Sequence, residues 1–197
     1  MICTDPSSIR VNGVSVNKCE FADKKVLIDT GIWVYSEMAD TPHYNKSLAI
    51  TISVLQGLIN GYVSTQSLAE FYAALTDPRL MEVAAPTDAV YERIEALWKS
   101  QTLTLVAPSQ MTIMKALYIA KEKGLIGSAI QDCILAVTAR ENNIDVIWTT
   151  EPERFNVLGI IPAQNPLDWD WTFPRDMFIA EFFDRKSELL ARVGREG

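Results

Sequence analysis

Very little of the usual nucleophile and soft-ligand chemistry is present in this sequence. One histidine, His43, and three cysteines, Cys3, Cys19 and Cys133, occur in 197 residues. An odd number of cysteines without regular spacing excludes a disulfide framework and a zinc pattern. One histidine without a partner carries no catalytic argument, and His43, in TPHYNKSL between two helical stretches, is expected to pack at the surface. Positive charge is also scarce, with 18 Lys and Arg against 25 Asp and Glu, a formal net charge of −7 and a pI near 4.8. Whole-protein attraction to nucleic acid is thereby not expected, though a local basic patch remains open. No apolar run reaches the roughly 18 residues of a membrane span, and residues 1–24 lack the apolar core of a signal peptide. A reduced, cytoplasmic setting without a membrane is expected.

What is present is a core and an alternation. Hydrophobic residues make up 48% of the chain and mean hydropathy is +0.06, enough for one sizeable domain with extensions. Strands are predicted at Lys25–Asp29, Tyr62–Thr65, Leu103–Val106, Asp145–Thr149 and Ile160–Ala163. Helices are predicted between them, over 31–37, 44–60, 67–76, 87–99, 110–123 and 128–142. Connections too long for hairpins make this β-α alternation a parallel sheet covered by helices on both faces. Residues 1–24 have the composition of a loosely ordered leader. Residues 168–197 form an extension, with an apolar stripe at helical spacing (Ile179, Phe182, Phe183, Leu189, Leu190, Val193) over Asp176–Val193.

The strand ends are acidic. Asp29 closes KVLID, Glu70 follows the second strand in YVSTQSLAEF, and Glu151 follows the fourth in VIWTTEPERF. Asp132, in IGSAIQDCILAVTA, starts the helix that feeds the fourth strand. Open parallel sheets bind ligands beyond the carboxyl ends of their strands. Four carboxylates gathered there raise one another's pKa unless a cation neutralises them. An all-oxygen cup without His or Cys suits Mg²⁺ or Mn²⁺. Each acid also has an ordinary explanation. Ser67-x-x-Glu70 and Thr150-x-x-Glu153 fit capping boxes, Asp29 fits a helix cap, and Asp132 fits a first helical turn. A cap needs no place beside Ile130, Ile134 and Leu135, however, and jointly the acids favour a site.

Three segments together, DTGIWVYSEMADTPHYNKSL, VSTQSLAEFYAALTDP and GLIGSAIQDCILAVTARENNIDVIWTTEPERF, with NPL after the last strand, resemble the PIN-domain ribonucleases. Among these the VapC-type toxins of toxin–antitoxin pairs are the most similar, and the resemblance runs from about Lys25 to Leu167. It implies a three-layer α/β/α sandwich over residues 25–167 with a five-stranded parallel sheet of order 3-2-1-4-5. It also implies a Mg²⁺-dependent acidic site, with Mn²⁺ as a substitute, that cuts single-stranded RNA or an RNA loop to leave a 3′-hydroxyl and a 5′-phosphate. An antitoxin and a second copy of the chain are the implied protein partners. Carried over by position, the catalytic and metal-binding acids are Asp29, Glu70 and Asp132, with Glu151 in the fourth place. Two positions depart from the pattern. The family carries Asp or Asn where this chain has Glu151, and the segment to Phe155 is one residue longer, which leaves Glu153 as the alternative fourth acid. It also favours Asn two residues after the first Asp, where this chain has Gly31.

Other residues are assigned more briefly. Cys133 is expected in helix packing, and Trp33, Trp98 and Trp148 in the core. Trp169 and Trp171, in a polar connector, are expected to anchor the tail or a partner. Thr30 and Thr149 flank site acids and are placed to bond water, phosphate or a helix end. Arg154, Arg79 and Lys46 are the nearest cations in sequence, and each is expected as a solvated surface charge. Two rivals to a ribonuclease are a catalytically silent PIN-like module that binds RNA or protein and a Mg²⁺-dependent phosphatase. The second lacks an Asp-x-Asp nucleophile pair after the first strand.

Overall fold

A computed structural model describes residues 24–169, and the backbone alone of two short strands, β1 (Ile9–Val11) and β2 (Val14–Val16). These two pair antiparallel, with Ile9 opposite Val16, a hairpin that the composition of residues 1–24 did not suggest. The rest of that segment lies outside the described residues, as do Trp171 and the apolar stripe of 176–193.

The main sheet begins with β3 (Lys25–Ile28) and continues with β4 (Asn60–Ser64), β5 (Leu103–Val106), β6 (Val146–Trp148) and β7 (Ala163–Gln164). All pairings are parallel, and the spatial order is β5-β4-β3-β6-β7. Counted along this sheet alone, that is 3-2-1-4-5, as expected. Helices α1 (Thr30–Tyr35), α2 (Tyr44–Leu55), α3 (Thr65–Thr76), α4 (Thr87–Lys99), α5 (Gln110–Lys123), α6 (Ala129–Glu141) and α7 (Pro152–Asn156) fill the connections.

Val26–Ile28 of β3 and all of β6 are apolar and buried because these strands have a core on either side. Val26 and Ile28 of β3 and Val146 and Trp148 of β6 face a cluster with residues of α1 to α4, including Trp33, Ile50, Phe71 and Leu97. Leu27 and Ile147, one residue out of phase, face the opposite cluster with Ala116, Cys133, Ala136 and Phe155 of α5, α6 and α7. The period of two thus makes a three-layer α/β/α sandwich.

Three expected boundaries shift for identifiable reasons. The helix read over 44–60 ends at Leu55, since Gly57 takes a left-handed φ of 70° and turns the chain out of the helix. β4 then starts at Asn60, and its Gly61 lies so near α2 that a Cβ would meet Val54 Cγ1 at 2.5 Å. The strand read over Ile160–Ala163 pairs only at Ala163–Gln164. Pro162 has no N–H to give to a ladder, and it contributes its carbonyl to Ile147 N at 3.0 Å instead.

Candidate functional site

The register of the central strands sets the site. Ile28 lies opposite Trp148, and one step further Asp29 N donates to Trp148 O at 2.9 Å. Asp29 and Thr149 therefore stand side by side at the carboxyl edge of the sheet. Thr149, 1% exposed, donates its hydroxyl to Asp29 Oδ2 at 2.7 Å and accepts from Glu151 N at 3.2 Å. Asp29 occupies the N-cap position of α1 but makes no side-chain capping bond, so the cap explanation does not account for it. Burial pushes its pKa above the ordinary carboxylate value. The Thr149 hydroxyl and the Thr30 N–H pull the other way, and the charges of Glu70 and Asp132 add to the rise.

Glu70 arrives from the neighbouring strand. β4 runs straight into α3, whose N-cap is Ser64, accepting from Ser67 N at 2.9 Å. Ser67 is thus already inside the helix, and the Ser67–Glu70 capping box does not form. Glu70 is held by two side chains instead. Thr30 Oγ1 donates to its Oε2 at 2.7 Å, and Gln66 Nε2 donates to its Oε1 at 2.9 Å. Gln66 also reaches the carbonyl of Gln131 at 3.4 Å, which ties α3 to the start of α6 across the edge.

Asp132 lies in the first turn of α6. Its pKa is also raised, by burial first; Arg154 opposes the rise while Glu70 and Glu151 increase it. Glu151 occupies the N-cap position of α7 ahead of Pro152, again without a side-chain cap bond, so no Thr150–Glu153 box forms either. Hydrogen bonds link the four in pairs at this edge: Thr30, next to Asp29, holds Glu70, and Arg154 joins Asp132 to Glu151.

Arg154 departs most from expectation. It is not a solvated surface charge: Nε and Nη2 fork onto Asp132 Oδ2 and Oδ1 at 2.9 and 2.8 Å, and Nη1 reaches Glu151 Oε2 at 2.7 Å. Under this guanidinium the Asp132 side chain keeps 13% exposure. The other two cations are elsewhere, Arg79 on Asp77 and Lys46 on the carbonyls of Leu167 and Trp169. The only sequence sign of Arg154's role is its place three residues after Glu151, one helical turn on.

The donor set suits a hard divalent cation. It is all oxygen, the neighbouring acids add to the raised pKa of Asp29 and Asp132, and the soft donors point away. His43 packs its ring against Tyr35 with centroids 4.9 Å apart, and Cys133 is buried with its thiol toward Ala116 O at 3.5 Å. Among the described residues no three His, Cys, Asp or Glu form a ready-made ligand cluster. With Arg154 forked onto Asp132, the acids are gathered at the edge but not closed around one point.

The remaining predicted residues are plainly placed. Thr30 and Thr149 hold acids of the site. Trp33 and Trp148 are core, and Trp169 meets Trp148 edge-on at 5.4 Å. Trp98 is 60% exposed, contrary to expectation, because the buried stripe of α4 runs through Val90 and Leu97 and the next residue turns to solvent. Gly31 lies where a Cβ would come within 2.9 Å of Thr150 Oγ1, so a side chain here requires Thr150 to turn aside.

The sequence profile of the PIN domain matches residues 26–159. No curated protein sequence matches the chain. Among solved structures, VapC20 of Mycobacterium tuberculosis, a Sarcin-Ricin loop cleaving toxin, superposes with a TM-score of 0.54 at 13% identity, over 69% of this chain and 96% of that one. FitAB bound to an IR36 DNA fragment gives a TM-score of 0.52 at 18% identity, over 74% of this chain and 97% of the other. At these identities the likeness is one of fold.

Proposed function

The chain belongs to the PIN-domain family, and we propose that it is a metal-dependent endoribonuclease, the toxin of a toxin–antitoxin pair, hydrolysing single-stranded RNA. The observation that carries this reading is the gathering of Asp29, Glu70, Asp132 and Glu151 at the carboxyl edge of a parallel sheet, each on a separate element. Catalytic and metal-binding roles are assigned to all four, and Glu151 is preferred to Glu153 because it is the residue joined to Asp132 through Arg154.

Mg²⁺, or Mn²⁺ in its place, supplies charge neutralisation for the phosphate and lowers the pKa of water. The chain's own residues supply position. Thr149 fixes the orientation of Asp29, and Thr30 and Gln66 fix that of Glu70, so neither carboxylate must be ordered when RNA arrives. Glu70 is set to orient the attacking water or a second ion. A water nucleophile rather than the ribose 2′-hydroxyl implies a 3′-hydroxyl and a 5′-phosphate at the cut. The toxin described as cleaving the Sarcin-Ricin loop supports an RNA loop as substrate.

The protein partners belong to the same proposal, an antitoxin and a second copy of this chain. Support for a partner comes from α5, where Met111, Met114 and Tyr118 are each 62% exposed beside a groove of about 510 Å³ floored by Ile119, Val137 and Ile160. Apolar area of this kind is normally covered. No helix of the described residues is long and apolar enough to cross a membrane.

A silent binding module has one observation on its side: Arg154 already pairs with both Asp132 and Glu151. Incubation of the purified chain with 5′-labelled single-stranded RNA and millimolar Mg²⁺ separates the two readings. Endonucleolytic products bearing 5′-phosphates are expected, with loss of about 10²-fold or more in Glu70→Gln. RNA bound but left intact at every metal tested would establish the silent module.

A further inference from the structure

The proposed metal site contains a cation of the chain's own. Arg154 uses both oxygens of Asp132 and one of Glu151, and it comes from the same short helix that Glu151 begins. A forked guanidinium on a carboxylate takes the in-plane lone pairs that a hard cation would use. Two positive groups a few ångströms apart also repel. An ion on Asp132 and Arg154 in its present place therefore compete for the same carboxylate.

We propose that Arg154 is a built-in competitor for the divalent cation, holding the metal-free site closed until the ion displaces it. This inference rests on the ribonuclease reading and adds a regulatory element to it. Without metal, the guanidinium relieves the repulsion among acids brought together at one sheet edge, which lets the chain fold with the site assembled. On metal binding it leaves Asp132 and, at 40% side-chain exposure, can turn outward on its flexible stem. The arrangement makes apparent affinity a product of two equilibria, intrinsic binding and the fraction of molecules with Arg154 released. Loss of the arginine removes the second factor.

The test is Mn²⁺ binding alone, followed by calorimetry on the full chain at pH 7.5. Arg154→Gln is expected to bind Mn²⁺ about fivefold to tenfold more tightly than the unaltered chain, the size of effect set by a few charge-assisted hydrogen bonds at a partly exposed site. Arg154→Lys keeps the charge but cannot fork, and its affinity should fall between the two. Arg140→Gln, at the far end of α6, removes an equal charge without touching the acids and should leave the affinity unchanged. Far-UV circular dichroism of each variant confirms that the fold is retained. Equal or weaker binding by Arg154→Gln overturns the competitor role and leaves the ribonuclease reading standing. Absence of Mn²⁺ binding by every variant overturns both.

Discussion

Thr149 offers a sharp test of how the site is held. Its hydroxyl, on a residue 1% exposed, donates to Asp29 Oδ2 at 2.7 Å and accepts from Glu151 N at 3.2 Å. Thr149→Val keeps the branched shape, so no cavity opens, but both bonds are lost. A bond to a charged carboxylate is worth about 1.5–3 kcal/mol and a neutral one about 0.5–1.5 kcal/mol. Because part of each is recovered by rearrangement, the expected net loss near pH 8 is about 2 kcal/mol, or about 4–8 °C in melting temperature for a domain of this size. The loss should depend on pH. The folded-state pKa of Asp29 is raised above its unfolded value, so its contribution favours folding at low pH and is lost as pH climbs from the unfolded to the folded pKa. Removing a donor that lowers this pKa extends the window upward. Urea unfolding of the metal-free chain at pH 5.5 and pH 8, both above the pI of about 4.8, should show the smaller loss at pH 5.5. An equal loss at both values, or a more stable variant at pH 8, would refute the view that Thr149 serves the ionised Asp29.

Further outcomes follow from the same arrangement of residues. Asp29→Asn removes a charge that burial and two neighbouring acids disfavour. It should raise metal-free stability at pH 8 and abolish the rise in melting temperature that millimolar Mg²⁺ gives the unaltered chain; scanning fluorimetry with and without Mg²⁺ checks both. Trp98→Ala, at a side chain 60% exposed, should change stability by less than about 0.5 kcal/mol, whereas Trp148→Ala, at 1% exposed, should cost about 3–5 kcal/mol by chemical denaturation.

Legibility followed the range of the interaction. β3 and most of the helices are visible because a strand buried on both faces is apolar along its buried run and a helix repeats every three to four residues. The acids are visible because a parallel sheet sends the chain to the same edge after every strand. Helix starts were misread where two hydroxyls compete for one end: Ser64 caps α3, which leaves the apparent Ser67–Glu70 box inside the helix. The late start of β7 depends on one missing N–H at Pro162. Trp98 was assigned to the core because it follows Leu97 in an apolar segment, yet one residue is about 100° around a helix. The paired strands Ile9–Val11 and Val14–Val16 have three residues each, too short for periodicity to register. Arg154 is the most informative miss. Nothing local marks an arginine as bridging two acids when one of them, Asp132, lies 22 residues away in sequence.

The central claim is that these carboxylates form a divalent-cation site. Mn²⁺ soaked into crystals of the full chain and located by its anomalous scattering tests it most directly. One ion is expected between Asp29 and Asp132, with oxygens at about 2.0–2.3 Å and Arg154 turned off Asp132. Asp132 still forked by Arg154, with no ion at this edge of the sheet at millimolar Mn²⁺, would contradict it.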